Sequence, residues 1–210
     1  MNIPAPHKTL CKLGSKHQTD KNMHNRTSSL CYLDIYEPYF KRFQNKEINL
    51  LEIGVRGGNS LRVWEDFFPK ASIFGVDIDP SCAQHGKGRV SVVIGDGTDA
   101  NTLSKINRAD IRYDIIIDDG SHINTDIIKT FNLLWPKLNS GGVYIIEDLY
   151  NSYGSQNPTI LGSSSGIVHN KREDLDLFFN NIIKDVDTPS SSKLCTHFWD
   201  SICIVLKVND

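Results

Sequence analysis

The sequence predicts an α/β fold: a doubly wound seven-stranded sheet, mostly parallel, with an antiparallel last strand pair and helices on both faces. Three observations lead there. Five short aliphatic runs, each closing on glycine or an acid, follow one another between residues 49 and 148. Helical patterns separate them, and two further strand-like runs end the chain. Strands alternating with helices make right-handed crossovers and a parallel sheet covered on both sides.

The five runs are NLLEIGV from Asn49, SIFGVDID from Ser72, VSVVIGDG from Val90, YDIIIDDG from Tyr113 and GGVYIIED from Gly141. Their near-continuous aliphatic character is that of strands buried on both faces. SLRVWEDFF, ANTLSKIN and NTDIIKTFNLLWPKL lie between them at helical spacing, and Asn124 or Thr125 is the expected cap of the last. Upstream, Leu30, Leu33, Tyr36, Tyr39, Phe40 and Phe43 also recur helically. Residues 1–45 therefore read as a helical lid or oligomerisation segment and 46–210 as the main domain. Within the latter, the Ser/Gly/Asn-rich stretch 149–170 is too long for an ordinary connection and reads as a substrate-facing loop. Leu175, Phe178, Phe179, Ile182 and Ile183 mark an amphipathic helix, and KLCTHFWDSICIVLKV two strands turning near Asp200–Ser201.

Composition narrows the function classes. At 39% hydrophobic and 23% charged, with a formal net charge of −2, the 210-residue chain is not the polar, highly charged type that stays disordered. No apolar run approaches the ~18–20 residues of a membrane span. Lys and Arg number 23 against 25 acids, which leaves no bulk positive field for nucleic acid. The five cysteines are scattered, odd in number and never in a C-x-x-C pair, so neither a disulfide framework nor a zinc site is expected. The opening MNIPAPHKTLCKLG lacks the apolar core of a signal peptide, so the expected compartment is cytoplasmic.

Function is written at the strand ends. Glu52, Asp77, Asp96, the pair Asp118–Asp119 and the pair Glu147–Asp148 close five successive strands, where open α/β sheets bind ligands. Glu52-Ile-Gly54-Val-Arg56-Gly57-Gly58-Asn59-Ser60 ends the first strand and opens a helix, so backbone can approach a ligand closely. A dinucleotide fingerprint would need glycine where Arg56 and Asn59 stand, and no Lys-Ser/Thr pair makes a phosphate loop. Asp77 is placed to accept both hydroxyls of a ribose, and Asp96, beside Gly97, to accept from an adenine amino group. A nucleoside without polyphosphate fits best, with S-adenosylmethionine the candidate.

Asp119, Glu147 and Asp148 gather three carboxylates that need a proton, a Lys or Arg, or a divalent cation as partner. Oxygen ligands without cysteine favour Mg²⁺, then Mn²⁺ or Ca²⁺. The competing structural reading has the acid pair capping the following helix and Glu147 bound to a basic residue. His122, in D-G-S-H, enters the same crevice, and imidazole is suited to accepting a proton near neutrality. His24 and His169 could reach it from neighbouring segments, whereas His197 sits in a strand and reads as structural.

The motifs E-I-G-V-x-x-G-x-S-L-R-x-W, G-V-D-I-D, G-D-x-x-D, I-D-D-G-S-H and I-E-D resemble those of class I S-adenosylmethionine-dependent methyltransferases. More narrowly, they are similar to the metal-dependent sugar O-methyltransferases of the macrocin and mycinamicin type, from about Gly14 to the C-terminus. Thr19-Asp20-Lys21 resembles that family's N-terminal T-D-K element, whereas GDGTD departs from it where relatives more often carry Gln and Ser. The resemblance implies a Rossmann-like fold with Glu52, Gly54, Ser60, Asp77 and Asp96 around the cofactor, a set that Gly58, Gly97 and Asp118 extend. It also implies Asp119, Glu147 and Asp148 as metal ligands, with His122, beside Asp119, as general base. The expected activity is S-adenosylmethionine- and Mg²⁺-dependent methylation of a sugar hydroxyl on a surface glycan, a nucleotide-activated sugar or a natural-product glycoside. A catechol or other small vicinal diol is the alternative acceptor, and a non-catalytic cofactor-binding domain the alternative class. The resemblance further implies a homo-oligomer, dimeric or higher.

Overall fold

A computed structural model of the chain describes residues 8–22, 31–106, 111–153, 170–188, 194–199 and 201–208. Two helices come first, α1 (Lys8–His17) and α2 (Tyr32–Phe40). They are followed by β1 (Asn49–Ile53), α3 (Asn59–Phe67), β2 (Ser72–Asp77), β3 (Val90–Ile94), α4 (Ala100–Ile106) and β4 (Tyr113–Asp118). The chain closes with α5 (Asn124–Leu134), β5 (Leu138–Ile146), α6 (Arg172–Asp187), β6 (Leu194–Trp199) and β7 (Ile202–Lys207). Leu30, Asp200, His24, His169 and all of the expected substrate-facing loop beyond Tyr153 except Asn170 fall outside the described residues.

The strands form one seven-stranded sheet in the order β3-β2-β1-β4-β5-β7-β6. β7 runs antiparallel to both neighbours, and the other pairings are parallel. Strand order reverses between β1 and β4, which makes their carboxyl ends the place where a crevice opens. The fold expected from the sequence is the fold observed.

Alternation along each strand divides the core into two layers. Leu50, Ile73, Ile115, Ile117 and Ile145 face Leu33, Tyr36, Phe40, Trp64 and Phe67 on the side of α1, α2 and α3. Leu51, Ile116, Tyr144 and Ile146 face Leu103, Ile127, Phe131 and Phe179 on the side of α4, α5 and α6. Both layers are buried, as the unbroken aliphatic runs require.

Local differences from expectation have physical causes. α1 is short and mostly polar, yet Leu10 is fully buried and its N–H donates to the buried Glu37 carboxylate of α2 at 2.8 Å. α5 is not capped by Asn124 or Thr125. Ile123 holds the cap position without a side-chain bond, and Ser121 Oγ accepts from the Ile123 N–H at 3.2 Å. Asn124 is instead buried and donates to the Lys171 carbonyl, tying α5 to the start of α6. α5 stops at Leu134 and continues as a 3-10 turn through Pro136, which cannot donate into an α-helical ladder. No described helix is long and apolar enough to cross a membrane.

Candidate active site

Three backbone hydrogen bonds carry the strand pairing past the strand ends and set the acidic turns side by side. Gly54 N–H donates to Val76 O at 2.8 Å, Asp119 N–H to Ile53 O at 2.9 Å and Glu147 N–H to Asp118 O at 3.0 Å. Gly54 sits at φ +91°, and a Cβ there would lie 2.0 Å from the Asp119 carbonyl oxygen. Both the conformation and the close approach exclude a side chain. Gly58, at φ +67°, is the N-cap of α3 and brings no side chain to its first N–H groups.

Asp77 holds this turn from β2. Its Oδ2 accepts from the Val55 and Arg56 N–H groups at 2.8 Å, and its Oδ1 from Asp79 N–H at 2.8 Å. Burial works against its charge, but those N–H groups prevail and its pKa is lowered. A carboxylate so occupied has acceptor capacity left mainly on Oδ1, the oxygen that the expected ribose hydroxyls would find. Beside it Ile78 is 60% exposed, an apolar surface that the strand pattern did not single out. Asp96 is exposed and accepts from Thr98 N–H, and Gly97 packs against Ile53.

Glu52 and Ser60, expected around the cofactor, turn inward. Neither is presented to the open end of the sheet. Glu52 is fully buried, and its Oε2 accepts from Ser60 Oγ and from Trp64 Nε1, each at 2.9 Å. Their role is to hold α3 against β1 beneath the glycine turn.

The larger surprise is Lys21. It lies in a 3-10 turn, Asp20–Asn22, directly after α1, and its ammonium is buried among three carboxylates. It donates to Asp119 and to Glu147 Oε2, the latter at 2.9 Å, and stands 3.5 Å from Glu52 Oε1. Burial opposes its charge, but Asp119, Glu147 and Glu52 outweigh that and its pKa is raised. Part of the competing structural reading is thus realised, since Glu147 has a basic partner. The other part is not, because Ser121, not the acid pair, serves the start of α5.

Asp119, His122 and Asp148 come together on the open side. One ligand atom from each lies within 4.8 Å of the others. His122 Nε2 is 3.7 Å from Asp119 Oδ1 and 3.8 Å from Asp148 Oδ2. Asp148 Oδ1 accepts from the Tyr32 hydroxyl at 2.6 Å. His122 and Asp148 both occupy left-handed backbone, at φ +56° and +55°, a conformation that proteins keep chiefly in tight or functional turns. Glu147 does not belong to this triple. It is buried, and one of its oxygens is taken by Lys21.

Two observations test whether a divalent cation fits. Burial foremost raises the pKa of Glu52, Asp119 and Glu147 and pushes Asp118 up to about 7. Glu52 Oε1 and Asp118 Oδ2 are buried with no hydrogen-bond partner, and Glu147 has the buried Tyr36 hydroxyl beside it. A crevice with more carboxylate than Lys21 balances, lined by hard oxygen donors, suits an added cation of the Mg²⁺ class.

Known proteins resemble this chain in sequence and fold. A family model described as a methyltransferase domain matches residues 51–149, from within β1 to just past Asp148. Residues 51–149 belong to that methyltransferase family. The chain is 37% identical over 152 residues to an 8-demethyl-8-alpha-L-rhamnosyl tetracenomycin-C 2'-O-methyltransferase of Streptomyces olivaceus, covering 69% of this chain and 38% of that protein. It is 40% identical over 126 residues to demethylmacrocin O-methyltransferase of Streptomyces fradiae, covering 56% and 31%. Among solved structures, MycE methyltransferase with Mg, SAH and mycinamycin VI superposes with a TM-score of 0.76 at 30% identity, over 96% of this chain and 55% of that one. The chain thus spans about half of MycE and about a third of these curated relatives. The methyltransferase family match begins at Leu51, so it does not include Lys21 or Tyr32. The T-D-K element was the one sequence signal pointing to Lys21.

Proposed function

We propose that this chain is an S-adenosylmethionine- and Mg²⁺-dependent O-methyltransferase whose acceptor is a hydroxyl of a small sugar or glycoside. The observation that carries the reading is the convergence of Asp119, His122 and Asp148 at the strand-order switch, beside a side-chain-free turn. Relatives named as methyltransferases of sugar-bearing natural products support the acceptor class.

In this reading the Gly54–Gly58 turn and the start of α3 receive the cofactor, Asp77 Oδ1 accepts from its ribose and Ile78 offers an apolar face to its base. Asp96, Gly97 and Asp118 line the same side. Asp119 and Asp148 would hold the metal, with Glu147, buried behind them on Lys21, as the third carboxylate that the family resemblance assigns. When bound, S-adenosylmethionine supplies the methyl group and Mg²⁺ acidifies a chelated hydroxyl.

The protein's own residues do the rest. His122 Nε2 accepts the proton of the acceptor hydroxyl, with Asp119 and Asp148 flanking the ring. Tyr32 fixes Asp148, and Lys21 fixes Glu147 and Asp119, so the donor set is organised before ligands arrive. The same reading places the enzyme in the cytoplasm as a homo-oligomer, with neither nucleic acid nor membrane as partner.

The test uses purified protein, calorimetry with S-adenosylhomocysteine, and a panel of glycosides, nucleotide sugars and catechols. Asp119→Asn should abolish metal-dependent turnover while cofactor binding persists. Full activity of that variant in excess EDTA would refute the metal assignment, and turnover of catechols alone would replace the sugar.

A further inference from the structure

Away from the crevice, a second cluster joins α1 to α2. Cys11 and Cys31 are 20 positions apart, yet their sulfurs lie 3.2 Å from each other. Cys11 Sγ donates to Asp34 Oδ1 at 2.9 Å, and Cys31 Sγ approaches Asp34 Oδ2 at 3.4 Å. Both cysteines are free thiols; Cys11 is partly exposed and Cys31 is buried at the N-cap of α2. Sequence spacing argued against a cysteine pair, and packing made one. Gly14 explains how: a Cβ there would come 2.3 Å from Leu33 Cδ1, so α1 and α2 approach closely.

We propose that Cys11 and Cys31 are a reversible oxidation site, forming a disulfide that covalently closes the segment carrying Lys21 into the acidic crevice. The sulfurs need only move from 3.2 Å to the bonded separation of about 2.05 Å. The oxidant is a low-molecular-weight disulfide. Hydrogen bonds to Cys31 and Asp34 and burial hold the Cys11 thiol protonated, so Cys11, the more accessible sulfur, must first lose its proton. It then attacks one sulfur of that disulfide and displaces the first small thiol. Cys31 then attacks the Cys11 sulfur of the mixed disulfide and displaces the second. The protein loses two hydrogens, and the small disulfide is reduced to two thiols. In the net exchange the two sulfhydryl protons end on the two small thiols, and Asp34, which accepts from Cys11 Sγ, can relay the first of them.

The pair is also the right one to matter. Between its members lie α1's second half and the turn that carries Lys21, the residue that reaches Asp119 and Glu147. A cross-link there removes freedom from the unfolded segment and leaves the folded contacts in place.

The experiment equilibrates the full chain in mixtures of oxidised and reduced glutathione, blocks remaining thiols, digests with trypsin and maps peptides by mass. The expected product joins residues 9–12 to residues 27–41, disappears with dithiothreitol, and raises the melting temperature by roughly 5 °C. Cys11→Ser and Cys31→Ser should each abolish it. Should either variant fail to fold, the peptide map of the unsubstituted chain still decides. A stable glutathione adduct on Cys11 at high oxidised fraction, or pairing of Cys11 or Cys31 with Cys82, Cys195 or Cys203, would overturn the proposal. So would uptake of one equivalent of Zn²⁺ by the cluster with no cross-link in the zinc-free protein.

Discussion

Replacing Lys21 with methionine keeps the length of the side chain and removes the ammonium facing Glu52, Asp119 and Glu147. At 2.9 Å from Glu147 and 3.5 Å from Glu52, gross attractions at an effective dielectric near 20 are about 6 and 5 kcal/mol. Desolvation of the buried ions offsets much of this. The loss is also capped, because a stranded carboxyl can take a proton; at pH 7, from an ordinary glutamate pKa, that costs about 3.7 kcal/mol. Both routes lead to a destabilisation of about 3–5 kcal/mol, the usual cost of breaking one side of a buried ion pair. Urea denaturation followed by circular dichroism, in EDTA, measures it. Repeating the titration with excess Mg²⁺ should restore part of the loss, since a ligand that binds only the folded state stabilises it. A loss below about 1 kcal/mol in EDTA would refute the reasoning, for the carboxylates would then be balanced without Lys21.

Three further outcomes follow from the same geometry. Gly54→Ala places a Cβ against the Asp119 carbonyl at a left-handed φ, and should cost about 3 kcal/mol or more in thermal denaturation. His122→Ala should lower kcat about 10²–10⁴-fold while calorimetric affinity for S-adenosylhomocysteine is unchanged; an undiminished rate would place the base elsewhere. Trp64→Phe strips one donor from the buried Glu52 carboxylate and should destabilise the fold by about 1–3 kcal/mol, a loss that an unaltered denaturation midpoint would contradict.

The sheet was legible because its strands are buried on both faces and advertise it: YDIIID and GGVYIIED leave little choice of structure, and their terminal acids mark the carboxyl ends. Asp119, His122 and Asp148 could be named for the same reason, since a strand end fixes where the next few residues go. What failed was everything decided across long sequence distances. Asp77 reads as a ligand-facing acid, and nothing local announces that one of its oxygens also holds the Val55 and Arg56 N–H groups of another strand's turn. Glu52 looks like Asp77 in the sequence, and only the approach of Trp64 and Lys21 shows that it is interior. Lys21 sits in a polar stretch where any lysine would pass as solvated. α1 was missed because its apolar face, Leu10, Cys11, Leu13 and Gly14, is short and set among Lys, Ser and His.

Lys21 also sets an order of events. It contacts Asp119 across 98 positions and Glu147 across 126. On the ribosome the lysine emerges before all three of its acidic partners, and the last of them arrives only when β5 has been made. Until then β1, with Glu52, waits for a countercharge held by a helix that has little sheet to dock on. The segment carrying Lys21 is therefore made before its acidic partners and satisfied last. A nascent chain stalled before Glu147 should expose that segment to protease, and extending the chain through Asp148 should begin to shield it.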